Sequence, residues 1–244
     1  MKRNNSIKFN RTQKQLRKRI LEISFENRLS HLGSCLTAID LIEEIYKLKK
    51  AKDVFVLSNG HAGIAQYVVL EKHGVIKDSS VINTLHIHPD RNLKLGIHVS
   101  TGSLGQGLPI ALGMALADKS RKVYCMVSDG EAAEGSIWES FRVISEKKVT
   151  NLVTIINANG WSAYDRVNLI LLQKRCKAFG FEVRIVNGHN PKEINASLKK
   201  TIGKKPVLIF ARTIVEQFPF LKGQDAHYYF MQEEDYLQAI EQLL

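Results

Sequence analysis

The tightest constraint on the fold is a set of short, almost continuously apolar runs that alternate with helix-patterned segments. Lys122 to Val127 (KVYCMV), Leu152 to Ile156 (LVTII) and the PVLIFAR run ending at Arg212 read as strands, and so do Asp53 to His61 (DVFVLSNGH), which runs into a turn, and FEVRIV ending at Val186. Between them lie segments with helical spacing. Thr12 to Asn27 carries Leu16, Ile20 and Ile23, and Leu36 to Lys49 carries Ala38, Leu41, Ile42 and Ile45. Further helices are expected over Ala62 to Glu71, Ser136 to Lys147, Leu169 to Phe179 and Pro191 to Lys200. Gly102 to Asp118 (GSLGQGLPIALGMALAD) is a glycine-rich turn feeding a helix that is apolar all round, which places it between layers. Strands this apolar, each followed by a helix, imply an α/β fold: a doubly wound, mostly parallel sheet with helices on both faces. A single domain over residues 1–244 is expected, with a basic N-terminal helix over about residues 10–27.

Composition narrows the class. Hydrophobic residues make up 44% of 244, enough for a sizeable core, and no apolar run reaches the roughly 18 residues of a membrane helix. Cys35, Cys125 and Cys176 are scattered and lack CxxC spacing, which argues against a disulfide framework or a zinc site and fits a reducing cytoplasm. Lys and Arg number 35 against 24 Asp and Glu, a balance of +11, and eight of those cations fall in the first twenty residues, which hold no acid. A nucleic-acid arm would use such a run. No aromatic interleaving or nucleic-acid motif accompanies it, so a solvated helix face is the simpler explanation, and an anionic small molecule also suits the field.

In parallel sheets, ligands bind beyond the carboxyl ends of the strands. Two runs end there in unusual residues: VYCMV in Ser128-Asp129-Gly130, and NLVTIINANGW in Asn157 to Gly160. If the two strands flank one helix, their tips meet. A carboxylate and an amide oxygen are hard ligands suited to Mg²⁺ or Ca²⁺, and Mg²⁺ usually completes its shell with phosphate oxygens and water. Gly130 would let backbone approach a phosphate, and a helix N-terminus near Ser136 would face it. Taken alone, Asp-Gly and Asn-Gly are also ordinary turn dipeptides.

Longer motifs resolve that ambiguity. SDGE with EGSIWE, followed by NANG 30 residues after Asp129, resembles the thiamine diphosphate signature that opens GDG and closes in Asn. TGSLGQGLPIALGMALA and FVLSNGHAGIAQYVVL resemble transketolase, as do SHLGSCLTAIDLI, HPDRN at His88 and AHYYFMQEEDY, in the family's order from His31 to Tyr236. The resemblance is to the cofactor-binding N-terminal half of transketolase, as found in split, two-chain versions.

The resemblance implies thiamine diphosphate and Mg²⁺ as cofactors. Asp129, Asn159 and the carbonyl of Trp161 would ligate the metal. His61, Gly130 and Asn159 would contact the cofactor, with Gly102, Ser103 and Leu104 lying against its organic part. His31, His88 and His227 would face the reacting carbon and sugar hydroxyls as catalytic residues, and Glu134 matches a glutamate used near the dimer interface. The implied activity is that of a transketolase-like transferase subunit: transfer of a two-carbon ketol unit from a ketose to an aldose, sugars or sugar phosphates serving as substrates. It needs a separate chain, a C-terminal transketolase subunit, in an expected heterotetramer without membrane or nucleic acid. The alternative is a catalytically silent or altered-specificity interaction subunit of the same fold. Three departures stand out: Ser128 for the first glycine of GDG, Leu32 for a proline, and TIVEQFPFLKGQDAH in place of a Lys-Gly-Lys-Gly run.

Overall fold

A computed structural model describes residues 7–200 and 203–244. Five strands form one sheet in the order β1-β2-β3-β5-β4: β1 (Val54–Leu57), β2 (Val123–Ser128), β3 (Leu152–Ala158), β4 (Glu182–Asn187) and β5 (Val207–Arg212). Every pairing is parallel, so the sheet is wholly rather than mostly parallel over these strands. The apolar runs follow from burial on both faces. Phe55, Leu57, Tyr124, Met126, Val153 and Ile155 pack into one core with α1 (Arg11–Glu26), α2 (Leu32–Leu48) and α3 (Gly63–Lys72). Their neighbours Val54, Val56, Val123, Cys125, Leu152 and Ile156 point the other way, into a second core with α4 (Gly107–Ala117), α5 (Gly135–Glu146) and α6 (Leu169–Ala178). Edge strand β4 is largely exposed, which is why FEVRIV carries a charged residue, Arg184, in mid-strand. α7 (Pro191–Lys199) and α8 (Glu233–Gln242) complete the order.

The basic N-terminal helix forms where expected, opened by a capping box between Asn10 and Gln13. Its charges are not all solvated. Arg17 is fully buried and pairs with Asp40 of α2 at 2.6 Å, while His189 Nδ1 lies 2.9 Å from the same Asp40 oxygen. Arg19 pairs with Glu71 of α3 at 3.0 Å. Part of the positive run therefore fastens α1 to its neighbours; Lys2 and Arg3 lie outside the described residues. The second helix starts at Leu32, four residues before its expected start, because its first turn is apolar and buried and its N-terminal position is His31, a residue without side-chain capping.

Candidate active site

β2 and β3 lie side by side with Ser128 in register with Asn157, so the two loop tips meet. Asp129 Oδ2 accepts the Gly160 N–H at 2.6 Å and Oδ1 accepts the Gly130 N–H at 3.1 Å. The carboxyl is 1% exposed, and burial, only partly opposed by these backbone N–H groups, pushes it up to about 7. Asn159 Oδ1 accepts the Trp161 N–H at 2.8 Å, leaving a lone pair free. A Cβ on Gly130 would stand 3.1 Å from Ser162 Cα, so a larger residue there would push the Ser162 loop back by a few tenths of an ångström. Ser128, the departure from GDG, turns inward: its N–H donates to Glu131 Oε2 at 3.0 Å and its hydroxyl oxygen accepts the Glu131 N–H at 3.2 Å.

Four histidines from separate elements converge around His31. His31 sits at the foot of α2 in the left-handed region (φ 62°), and its N–H donates to the His227 carbonyl at 2.7 Å. His61 follows β1 in a short 3-10 turn, His88 lies on the loop before Gly102, and His227 ends a 3-10 turn ahead of α8. The His31 ring centroid is 5.7 Å from those of His61 and His88 and 6.5 Å from that of His227; His61 and His227 are 6.1 Å apart. Burial, helped by the neighbouring histidines, lowers His31 to about 4 and His61 to about 3, and burial also lowers His88 and His227. All four rings are neutral near pH 7, and Nδ1 of His31 and of His227 is buried without a hydrogen-bond partner.

Gly102 (φ 138°) presses on His88, whose ring would lie 3.0 Å from an added Cβ, and Gly60 packs on the Thr101–Gly102 backbone. Ser103 is exposed and Leu104 half-buried in the same turn. The histidine group and the Asp129 group are joined through residues 223–228. Gly223 lies against the Trp161 indole, and Gln224 Nε2 and the Tyr228 hydroxyl both donate to the Ala163 carbonyl, at 2.6 and 3.4 Å.

The motifs leave two residues at this site without a role. Glu131 is fully buried and accepts three hydrogen bonds. Asn59 is fully buried with neither Nδ2 nor Oδ1 partnered. Both sit inside the quoted stretches SDGE and SNGH. An acid or amide in a turn reads as solvated, and burial is the signal a linear sequence does not carry.

Residues 31–242 match the family described as transketolase, thiamine diphosphate binding domain, and the chain belongs to this family. It is similar to human transketolase (35% identity over 210 residues, 75% of this chain and 33% of that protein). It is also similar to one subunit of the apulose-4-phosphate transketolase of Phocaeicola vulgatus (34% over 224 residues, 81% of this chain and 79% of that protein). The crystal structure of transketolase from Campylobacter jejuni superposes with a TM-score of 0.84 at 28% identity, covering 95% of this chain and 42% of that one. The chain thus spans about a third of the length of the full transketolases it matches.

Among the described residues no group of three or more His, Cys, Asp or Glu is disposed to hold a metal. The expected set is of another kind, with one carboxylate, one amide and one carbonyl, a donor set that suits Mg²⁺ only when phosphate and water complete the shell. The site's residues fit that demand: a buried carboxyl whose partners are backbone N–H groups, beside a glycine that keeps a loop clear. No described helix is long and apolar enough to cross a membrane.

Proposed function

We propose that residues 1–244 act as one cofactor-binding unit that holds thiamine diphosphate and Mg²⁺ and forms the N-terminal half of a two-chain, transketolase-like transferase. Bound there, thiamine diphosphate supplies the electron sink for breaking and making the carbon–carbon bond beside a ketose carbonyl. Asp129, Asn159 and the Trp161 carbonyl hold the metal. Gly130 and His61 would contact the diphosphate, while Gly102, Ser103 and Leu104 would flank the organic rings. His31, His88 and His227, kept uncharged near neutrality, accept and return protons at the hydroxyls of a sugar or sugar phosphate as a two-carbon ketol unit passes from ketose to aldose. The reading rests above all on one observation: four neutral histidines from separate elements converge around His31, in a fold that also sets a buried carboxyl with only N–H partners at the β2–β3 tips.

The two-chain arrangement is supported by the length match to a protein named as one subunit of its enzyme. The partner is a C-terminal transketolase subunit, in a cytoplasmic heterotetramer. Mixing the two chains with thiamine diphosphate and Mg²⁺ is expected to give ketol transfer from a ketose phosphate to an aldose, and this chain alone to give none. Metal-dependent cofactor binding without transfer in the mixture favours a silent interaction subunit instead. Turnover by the isolated chain would refute the divided site.

A further inference from the structure

Glu131 is the most deeply buried acid near the site, and the roles proposed above leave it unused. Its Oε1 accepts the Ser58 hydroxyl at 2.7 Å and the Gly105 N–H at 2.9 Å; its Oε2 accepts the Ser128 N–H at 3.0 Å. These donors come from three separate segments, each adjoining a set of proposed cofactor contacts. Ser58 leads through Asn59 and Gly60 to His61. Gly105 directly follows Gly102, Ser103 and Leu104. Ser128 precedes Asp129 and Gly130.

The Gly105 peptide is gripped from both sides, because Ser136 Oγ also donates to its carbonyl at 2.8 Å. It has φ 79°, and a Cβ there would fall 2.5 Å from Ser136 Oγ and 2.7 Å from Glu134 Cβ, so the turn cannot relax by shifting sideways. No described Lys, Arg or His forms an ion pair with Glu131. A buried carboxylate without a cation costs stability that an apolar side chain of the same size would not. Such a group is out of place in a core designed for stability alone. It is well placed for fixing three loops at once, since one planar acceptor sets the distances among all three donors.

We propose that Glu131 is a positioning residue that sets the spacing of the three cofactor-contacting segments. The inference rests on the assignment of this site to thiamine diphosphate. Glu131→Gln keeps the shape but turns an amide N–H₂ toward either Ser128 or the Ser58–Gly105 pair, so at least one donor loses its acceptor.

The test is thiamine diphosphate binding in Mg²⁺, by calorimetry, to the full chain and to its complex with the partner. Thermal unfolding and amide exchange are measured alongside. Leu198→Ala, in α7 and away from the site, serves as a variant with comparable stability loss but an intact brace. Glu131→Gln is expected to raise Kd roughly ten- to a hundredfold and to speed exchange at the Gly105 or Ser128 amide. Leu198→Ala is expected to leave both unchanged at equal or greater loss of Tm. Ser58→Ala, which removes one donor, is expected to weaken binding less and carries the test if Glu131→Gln does not fold. The proposal is overturned if the tested brace variant binds as wild type does, or if Leu198→Ala loses affinity in the same proportion to Tm. If wild type itself binds no thiamine diphosphate in either form, the functional assignment fails, whatever the role of Glu131.

Discussion

Asp40 and Asp129 are the same residue at nearly the same depth, 2% and 1% exposed, yet their carboxyls are shifted in opposite directions. Burial drives both carboxyls up. At Asp40, the charge of Arg17 and the hydrogen bond of His189 outweigh that effect and bring it down to about 2. At Asp129, backbone N–H groups offset only part of it, and the carboxyl stays at about 7. The first network is closed: Gln217 Oε1 accepts the Arg17 Nε–H at 2.8 Å, and the Ile214 N–H donates to His189 Nε2 at 3.0 Å, so every charged group has partners. The second offers its carboxyl hydrogen bonds from backbone N–H groups and no ion pair among the described residues. Two buried aspartates in one domain thus separate a structural acid from one suited to receive a cation, and the criterion is the identity of the partners rather than depth.

Substitution at each aspartate should exploit that difference. Asp129→Asn is expected to abolish detectable Mg²⁺-dependent binding of thiamine diphosphate while leaving Tm unchanged or higher, read by calorimetry and by thermal scans without metal. Asp40→Asn is expected to do the reverse. Removing one member of a buried ion pair costs about 3–5 kcal/mol, seen as a lower urea midpoint, while the folded fraction binds cofactor as wild type does. If the two variants gave the same pattern, the comparison would collapse.

Acid should act on the two regions in separate windows. His31 and His61 titrate below their unfolded value of 6.5, at about 4 and about 3, so the unfolded chain binds more protons across that interval. These two histidines therefore withdraw stability as pH falls from 6.5 toward 4, while Asp129, raised from 3.8 to about 7, returns part of it over the same interval. Asp40 has a lowered folded value, so its contribution is intact above 3.8 and lost only between 3.8 and about 2. Urea midpoints at pH 7 and pH 5 are expected to fall less in His61→Asn than in wild type, and equally in Asp40→Asn. The smallest effect is expected at the surface. Arg142 bonds Glu139 and Glu146 along an exposed face of α5, and Arg142→Ala should leave Tm and cofactor affinity where they were.

Much of this arrangement is readable in the chain itself, for physical reasons. Val123 to Val127 and Leu152 to Ile156 are apolar on both sides because both faces of the sheet are covered, and adjacency of β2 and β3 brings Asp129 to Gly160. The insertion of β5 between β3 and β4 is a packing outcome that no local pattern encodes. The network of Arg17 is equally hidden. Asp40 and His189 lie 23 and 172 residues away, so the arginine reads as one more cation in a basic run. The start of α2 escapes because His31 adopts a left-handed conformation, while the local pattern favours a later start. Glu131 escapes because an acid two residues beyond Asp129 looks like part of the same polar turn.

The peptide contact between His31 and His227 has a consequence for how the protein is made. The sheet that the first helix pair packs on is complete only at Arg212, and the residue whose carbonyl accepts the His31 N–H emerges from the ribosome nearly two hundred positions after His31. The His31 contact is therefore acquired late by the nascent chain, with only α8 still to follow. Replacing the segment around residue 227 is expected to loosen the first turn of α2, read as faster amide exchange at His31.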